Sequence, residues 1–162
     1  MAPLLAFLSG EVDARQLGRQ LGASVTARAG ARFKDPGMLP QDLLRGASLE
    51  GVVELLGGEL ALLGLGNLRV ERWGRALLFV LDPCPLDKRA DGFLCGLFEG
   101  ALTGVAGREV AVVVVDRTGA GVRLLVGSVG AMARAEALVN RGVFFTEVVT
   151  ALHEEGEAVS AP

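Results

Sequence analysis

The chain has 162 residues, the length of one domain and too short for two full ones. Apolar residues make up 51% of it, yet no stretch reaches the ~20 apolar residues of a membrane-spanning helix. Its 16 basic and 19 acidic residues leave a net charge of -3 and no basic cluster to follow a phosphate backbone, which argues against a nucleic-acid partner.

Met1 to Leu8 is apolar but carries no basic n-region and lacks the full h-region and cleavage site of a secretory signal, so export is not expected. A first amphipathic helix is expected from Ser9, an N-cap, with Glu11 and Asp13 in its first turn. Its apolar side is Val12, Leu17, Leu21, Val25 and Phe33, which leaves Arg15, Arg19, Arg28 and Arg32 for the opposite face. Lys34-Asp35-Pro36-Gly37 should end it, because proline and glycine together favour a turn. A second helix is predicted from Ser48 to Leu63 by the three- and four-residue spacing of Leu49, Val52, Val53, Leu56, Leu60 and Leu63, with Gly64 and Gly66 closing it.

The period then changes. Leu68-Arg69-Val70-Glu71 alternates, and Ala76 to Leu81 follows a short link containing Gly74, which predicts a β-hairpin whose second strand is covered on both faces. Asp82-Pro83-Cys84-Pro85 should break the sheet and expose Cys84. A third helix is expected from Asp91 to Val105, where Phe93, Leu94, Leu97, Phe98, Ala101 and Leu102 share an apolar side. Gly92, Gly96, Gly100 and Gly104 recur every four residues and leave a smooth stripe on which another backbone can pack closely. A second hairpin should pair Glu109 to Val115 with Val122 to Gly127 around a turn at Asp116 to Gly121, both strands being central. Ser128 should cap a helix to about Val139, interrupted near Asn140-Arg141-Gly142, with Phe144 to Leu152 continuing as helix or strand. Residues 154–162 are expected to form a flexible tail to a single domain over residues 1–153. The fold class is therefore α+β, with amphipathic helices on an antiparallel sheet made of two hairpins.

Leu94-Cys95-Gly96-Leu97-Phe98-Glu99-Gly100-Ala101-Leu102, followed by an apolar strand, resembles the glycine-spaced helix and strand of transport-particle (TRAPP) subunits and vinyl-reductase-type domains. Leu62-Leu63-Gly64-Leu65-Gly66, running into Arg69 and Val70, is similar to the family's glycine-marked entry to its first strand. The resemblance spans about Asp13 to Ser128. It implies a homodimeric assembly subunit or adaptor, with a small GTPase as one class of partner, or else a sensor or carrier of a small apolar ligand. A reductase accessory acting on a tetrapyrrole is a weaker implication. The turn Asp116 to Val122 has none of the cysteines with which many vinyl-reductase-type domains hold a metal, so no zinc site is carried over. Met1 to Leu8 is too short to be expected to supply the helix that precedes Ser9 in the transport-particle subunits.

The sequence offers no complete catalytic constellation. His153 is the only histidine and lies near the expected frayed end, where no triad is apparent. One histidine, two distant cysteines and scattered carboxylates do not form a spaced metal-ligand set. Gly119-Ala120-Gly121 joins two strands instead of opening a helix, unlike a dinucleotide loop, and no cofactor fingerprint is present. Cys84 and Cys95 are too few for a disulfide framework, which fits a reducing cytoplasm. Both are candidates for modification, although Cys95 on its apolar helix is expected to pack as a small hydrophobe. Trp73, Phe79, Phe93, Leu97 and Phe98 are the candidates to line a ligand pocket or an interface, each with an alternative role in the core.

Overall fold

A computed structural model of the chain describes residues 13–32 and 49–158. The expected cap at Ser9, the segment Met1 to Leu8, Val12, Phe33 and the turn at Lys34-Asp35-Pro36-Gly37 lie outside the described residues.

Helix α1 (Ala14–Arg32) and helix α2 (Leu49–Leu62) come first. Asp13 caps α1 by accepting a hydrogen bond from the Gln16 N–H at 2.7 Å. The end of α2 follows from Gly64, whose φ of +71° permits Leu65 N–H to reach Leu60 O at 2.9 Å and Gly64 N–H to reach Ala61 O at 3.0 Å. Strands β1 (Asn67–Trp73) and β2 (Ala76–Asp82) form the first hairpin. A short 3-10 turn, Lys88–Ala90, leads into helix α3 (Asp91–Ala106), which ends at Gly107 in the left-handed region. Strands β3 (Ala111–Thr118) and β4 (Gly121–Gly127) form the second hairpin.

Helix α4 (Val129–Asn140) is capped by Ser128, whose side chain accepts from Ala131 N–H. Gly142, at φ +78°, turns the chain into helix α5 (Phe145–Ala158). The segment after Phe144 is therefore helical, and the helix runs to Ala158.

The protein is α+β, and among the described residues five helices pack on a four-stranded antiparallel sheet of order β1-β2-β4-β3. Alternation along the strands sends side chains to opposite faces. Phe79, Leu81, Val112, Val122 and Leu124 meet α1, α2 and α3 on one face, whereas Leu78, Val113, Val115 and Leu125 meet Met132, Ala135, Val148 and Val149 of α4 and α5 on the other. Strand β2 is apolar from Leu77 to Leu81 because it is central and covered on both sides.

The second hairpin differs from expectation in two ways. Its turn is only Gly119-Ala120, with Gly119 at φ +57°. In addition, β3 is an edge strand. Its continuous apolar run reflects burial between two helix layers, which does not require a strand partner on each side. A bulge between Val114 and Asp116 shifts the side-chain phase, so that Asp116 pairs with Arg123 at 2.8 Å and Arg117 turns to Asp91 of α3.

Candidate functional site

Helices α1 and α3 approach through glycine on both sides. A Cβ placed on Gly18 would strike the Phe93 carbonyl oxygen, and one on Gly22 would strike that of Leu97. Conversely, a Cβ on Gly96 or Gly100 would strike the carbonyl oxygens of Arg15 or Arg19. Gly92 and Gly104 continue the stripe, their Cβ positions 4.0 Å from Arg15 N and 3.6 Å from Thr26 Cγ2. The four-residue ladder in α3 is thus the seat of α1. Thr26 completes the seam by donating its hydroxyl to Gly22 O at 3.2 Å or Ala101 O at 3.1 Å.

Immediately before each of these glycines in α3 stands a polar or sulfur-bearing residue: Asp91, Cys95, Glu99 and Thr103. These side chains share a second stripe, one residue round the helix, which runs along the outer edge of β3. Thr103 Oγ1 accepts from Val110 N–H at 3.2 Å and Glu99 Oε1 accepts from Val112 N–H at 3.1 Å. The Val114 N–H is directed to the Cys95 sulfur, and Asp91 accepts from Arg117 Nε at 2.9 Å. Four helical residues advance about 6 Å and two strand residues about 6.6 Å, so Thr103, Glu99 and Cys95 meet every second residue of the chain from Val110 to Val114, and Asp91 meets Arg117 past the bulge. The edge that would otherwise present unpaired backbone groups is occupied by side chains.

Glu99 is the centre of this arrangement. Its side chain is only 3% exposed, yet it receives Arg15 Nε at 3.1 Å and Arg19 Nε at 2.8 Å besides Val112 N–H. Arg15 also donates to Val112 O at 3.1 Å, so carboxylate and guanidinium together satisfy both edge groups of that residue. Burial opposes the charge on Glu99, but the hydrogen bonds from Arg15, Arg19 and Val112 outweigh it and hold the carboxyl below its ordinary value. Of the two arginines placed opposite the apolar side, Arg15 is drawn in, with 32% of its side chain exposed, whereas Arg19 remains 53% exposed while its Nε reaches Glu99. Both turn to α3, and charge alone did not reveal their buried partner. No buried side-chain nitrogen or oxygen among the described residues lacks a partner.

Beside the seam, past Glu99, lies an open groove of about 840 Å³ between α1 and α3. Ala23 and Ala27 of α1, Gly100 and Gly104 of α3, and Val110 just before β3 give it a mostly small, apolar lining. Arg19 and Glu99 lie at one part of the wall and Glu109 at another. Such a channel suits an apolar body with few polar groups.

The sequence-derived candidates fall elsewhere. Phe79, Leu97 and Phe98 are buried, with Phe79 and Phe98 ring centroids 5.4 Å apart, and Phe93 is half-buried against the same core. None lines the groove. Trp73 remains 41% exposed at the end of β1, edge-on to Phe145 at 5.3 Å. Cys95 is buried, and burial pushes its thiol up to about 11. Cys84 is also buried, contrary to its expected exposure, because its backbone N–H is tied to Ala120 O at 2.6 Å beside the second hairpin. His153 Nε2 accepts from Arg75 N–H at 3.1 Å and so braces the turn of the first hairpin. Among the described residues no three His, Cys, Asp or Glu side chains gather as a metal site, and no helix is long and apolar enough to cross a membrane.

Strand β1 forms the other edge. Its hairpin closes through the Trp73–Ala76 pair, so the backbone groups of Leu68, Val70 and Arg72 point away from β2. Among the described residues, no strand pairs with that side. Comparison with protein-family models and with curated proteins returns no match to this chain.

Proposed function

We propose that the chain is a non-enzymatic interaction module that acts as a homodimer and holds a further protein partner in the manner of an adaptor. The observation that carries this reading is the exposed Trp73 at the end of β1, whose outer side no described strand pairs. Tryptophan is enriched among residues that dominate binding energy, and an open strand edge supplies a row of hydrogen-bonding groups. The resemblance to transport-particle subunits supports an assembly role, with a small GTPase as one partner class. Native mass spectrometry at micromolar concentration tests the reading. A dimer is the expected species, and a strict monomer that takes up no protein partner would overturn it.

The groove between α1 and α3 favours a second reading, as a carrier or sensor of a small apolar ligand. Its volume of about 840 Å³ is that of a small-molecule site. The same spectrum would then show an added apolar mass. Ala27→Phe, which fills the groove from an exposed position on α1, should abolish that mass while leaving the fold intact. Retention of the mass by this variant would place the ligand elsewhere.

A further inference from the structure

We infer that the homodimer forms by antiparallel pairing of β1 with β1 of a second copy, centred on Val70, which joins two four-stranded sheets into one of eight strands. The inference rests on the homodimer reading and adds its surface and register.

The outward backbone groups of β1 belong to Leu68, Val70 and Arg72. Across a twofold axis, Val70 would face Val70 as a hydrogen-bonded pair, and Leu68 would face Arg72 of the other copy. In the same register Arg69 would stand directly opposite Glu71, and Glu71 opposite Arg69. Both residues lie on the same face of the strand, and directly opposed opposite charges are a favourable cross-strand pair. The strand is therefore electrostatically complementary to its own reverse. A shift of the axis by one position, to Arg69 or Glu71, would place like charges opposite each other and turn the wrong backbone groups inward. Trp73 would fall opposite Asn67, placing one large exposed ring at each end of the seam.

Three further observations favour a second copy as occupant. Arg69 has a 64% exposed side chain, so it is free to turn to a new partner, and its existing pair with Asp82 is a surface contact at 3.1 Å. Glu71 is held at 3.4 Å from Arg123, which orients its carboxylate on the face where the second copy's Arg69 would arrive. The opposite sheet edge is already filled by the Asp91-Cys95-Glu99-Thr103 stripe and cannot serve as the complementary surface. Head-to-tail growth through two different edges is therefore blocked, and pairing of β1 with itself gives a closed twofold assembly.

The test is a charge-swap mixing experiment on the full chain, with dissociation constants measured by sedimentation. Arg69→Glu alone places two Glu–Glu pairs across the axis, and Glu71→Arg alone places two Arg–Arg pairs. Each variant should self-associate about tenfold more weakly than the parent. An equimolar mixture should restore association, because in the mixed dimer each acidic side chain of the Arg69→Glu copy stands opposite a basic side chain of the Glu71→Arg copy. Since Glu71→Arg also meets Arg123 within its own chain, amide hydrogen exchange of the unaltered protein supplies an independent reading. The amides of Val70 and Arg72 should gain protection at dimeric concentration and lose it on dilution. A parent protein that is monomeric overturns both this inference and the homodimer reading. A dimeric parent whose association ignores both substitutions, with no concentration-dependent protection in β1, overturns the β1 seam and leaves the homodimer reading in place.

Discussion

The two edges of the sheet solve the same problem in opposite ways. At the β3 edge, the backbone N–H groups of Val110 and Val112 donate to side chains of α3, that of Val114 points toward Cys95, and Arg15 supplies the matching donor to Val112 O. At β1, the charges of Arg69, Glu71 and Arg72 line a strand that α2 overlies on one face only. One edge is closed by specific geometry that tolerates little change. The other is moderated by mixed charge, which discourages indiscriminate pairing but permits a partner with the reverse pattern. A sheet edge can therefore be closed by side chains or left open within one small domain, depending on which helix lies beside it and in what register.

The closed edge should be the more fragile under mutation, and the largest effect should come from separating the helices that hold it. Gly22→Val drives a branched side chain into the Leu97 carbonyl oxygen, so chemical denaturation should show a loss of about 3 kcal/mol or more. Gly104→Ala, on the same stripe but with 3.6 Å to Thr26 Cγ2, should be neutral or gain up to about 1 kcal/mol. Equal losses for the two would deny that backbone contact is what the ladder serves.

Glu99→Ala comes next. It strips Val112 N–H of its acceptor and leaves Arg15 without its main partner, at a cost of about 2–3 kcal/mol, below the usual loss for a fully buried pair because Arg15 and Arg19 are partly exposed. The same residue gives a pH signature. Its carboxyl is held low in the folded chain, so its stabilisation is complete above the unfolded value of about 4.3. That contribution is lost as pH falls through this range toward the lowered folded value. Urea midpoints measured from pH 7 to pH 3 should fall less steeply for Glu99→Gln than for the parent. A parallel fall would assign acid sensitivity to other carboxylates.

Smaller still is Thr103→Val, which keeps the volume but removes the acceptor for Val110 N–H. About 1 kcal/mol should be lost, together with faster hydrogen exchange at Val110. Finally, Arg69→Glu on the open edge should change the stability of the monomer by no more than about 0.5 kcal/mol, measured by thermal unfolding below the concentration of self-association. A cost rivalling that of Glu99→Ala would mean that the two edges are not as different as they look.

The order of helices and hairpins is legible in the sequence because the period of apolar residues changes from helical spacing at Leu49 to Leu60 to alternation at Leu68 to Glu71. The glycine ladder likewise announces a close backbone approach. What periodicity does not disclose is the partner of each face. Arg15 and Arg19 look like solvent residues until the carboxylate of Glu99, 80 or more positions away, is brought to them by folding. Cys84 sits among prolines that suggest an exposed loop, but its backbone is tied to Ala120 and its side chain packs in the core. The apolar run of β3 looks central because burial on both faces and pairing on both sides leave the same composition. A readable signal of the α3 stripe did exist. Asp-Gly, Cys-Gly, Glu-Gly and Thr-Gly recur at a four-residue interval from Asp91 to Gly104, the first three each followed by two apolar residues that are buried or half-buried. Attention to glycine alone recovers half of that repeat.

The pairing of α3 with β3 behaves as a vernier between two rulers of unequal pitch. Each helix tetrad covers about 6 Å against about 6.6 Å for two strand residues, so the stripes drift by roughly 2 Å over three steps. The helix side stays in step with backbone N–H groups at Val110, Val112 and Val114, and then falls behind. At that point the strand bulges, and the last tetrad is met by the long side chain of Arg117 reaching Asp91, with its other end on Leu86 O at 2.9 Å. An edge protected in this way therefore has a natural maximum length of about three backbone contacts, after which a flexible side chain must absorb the accumulated error.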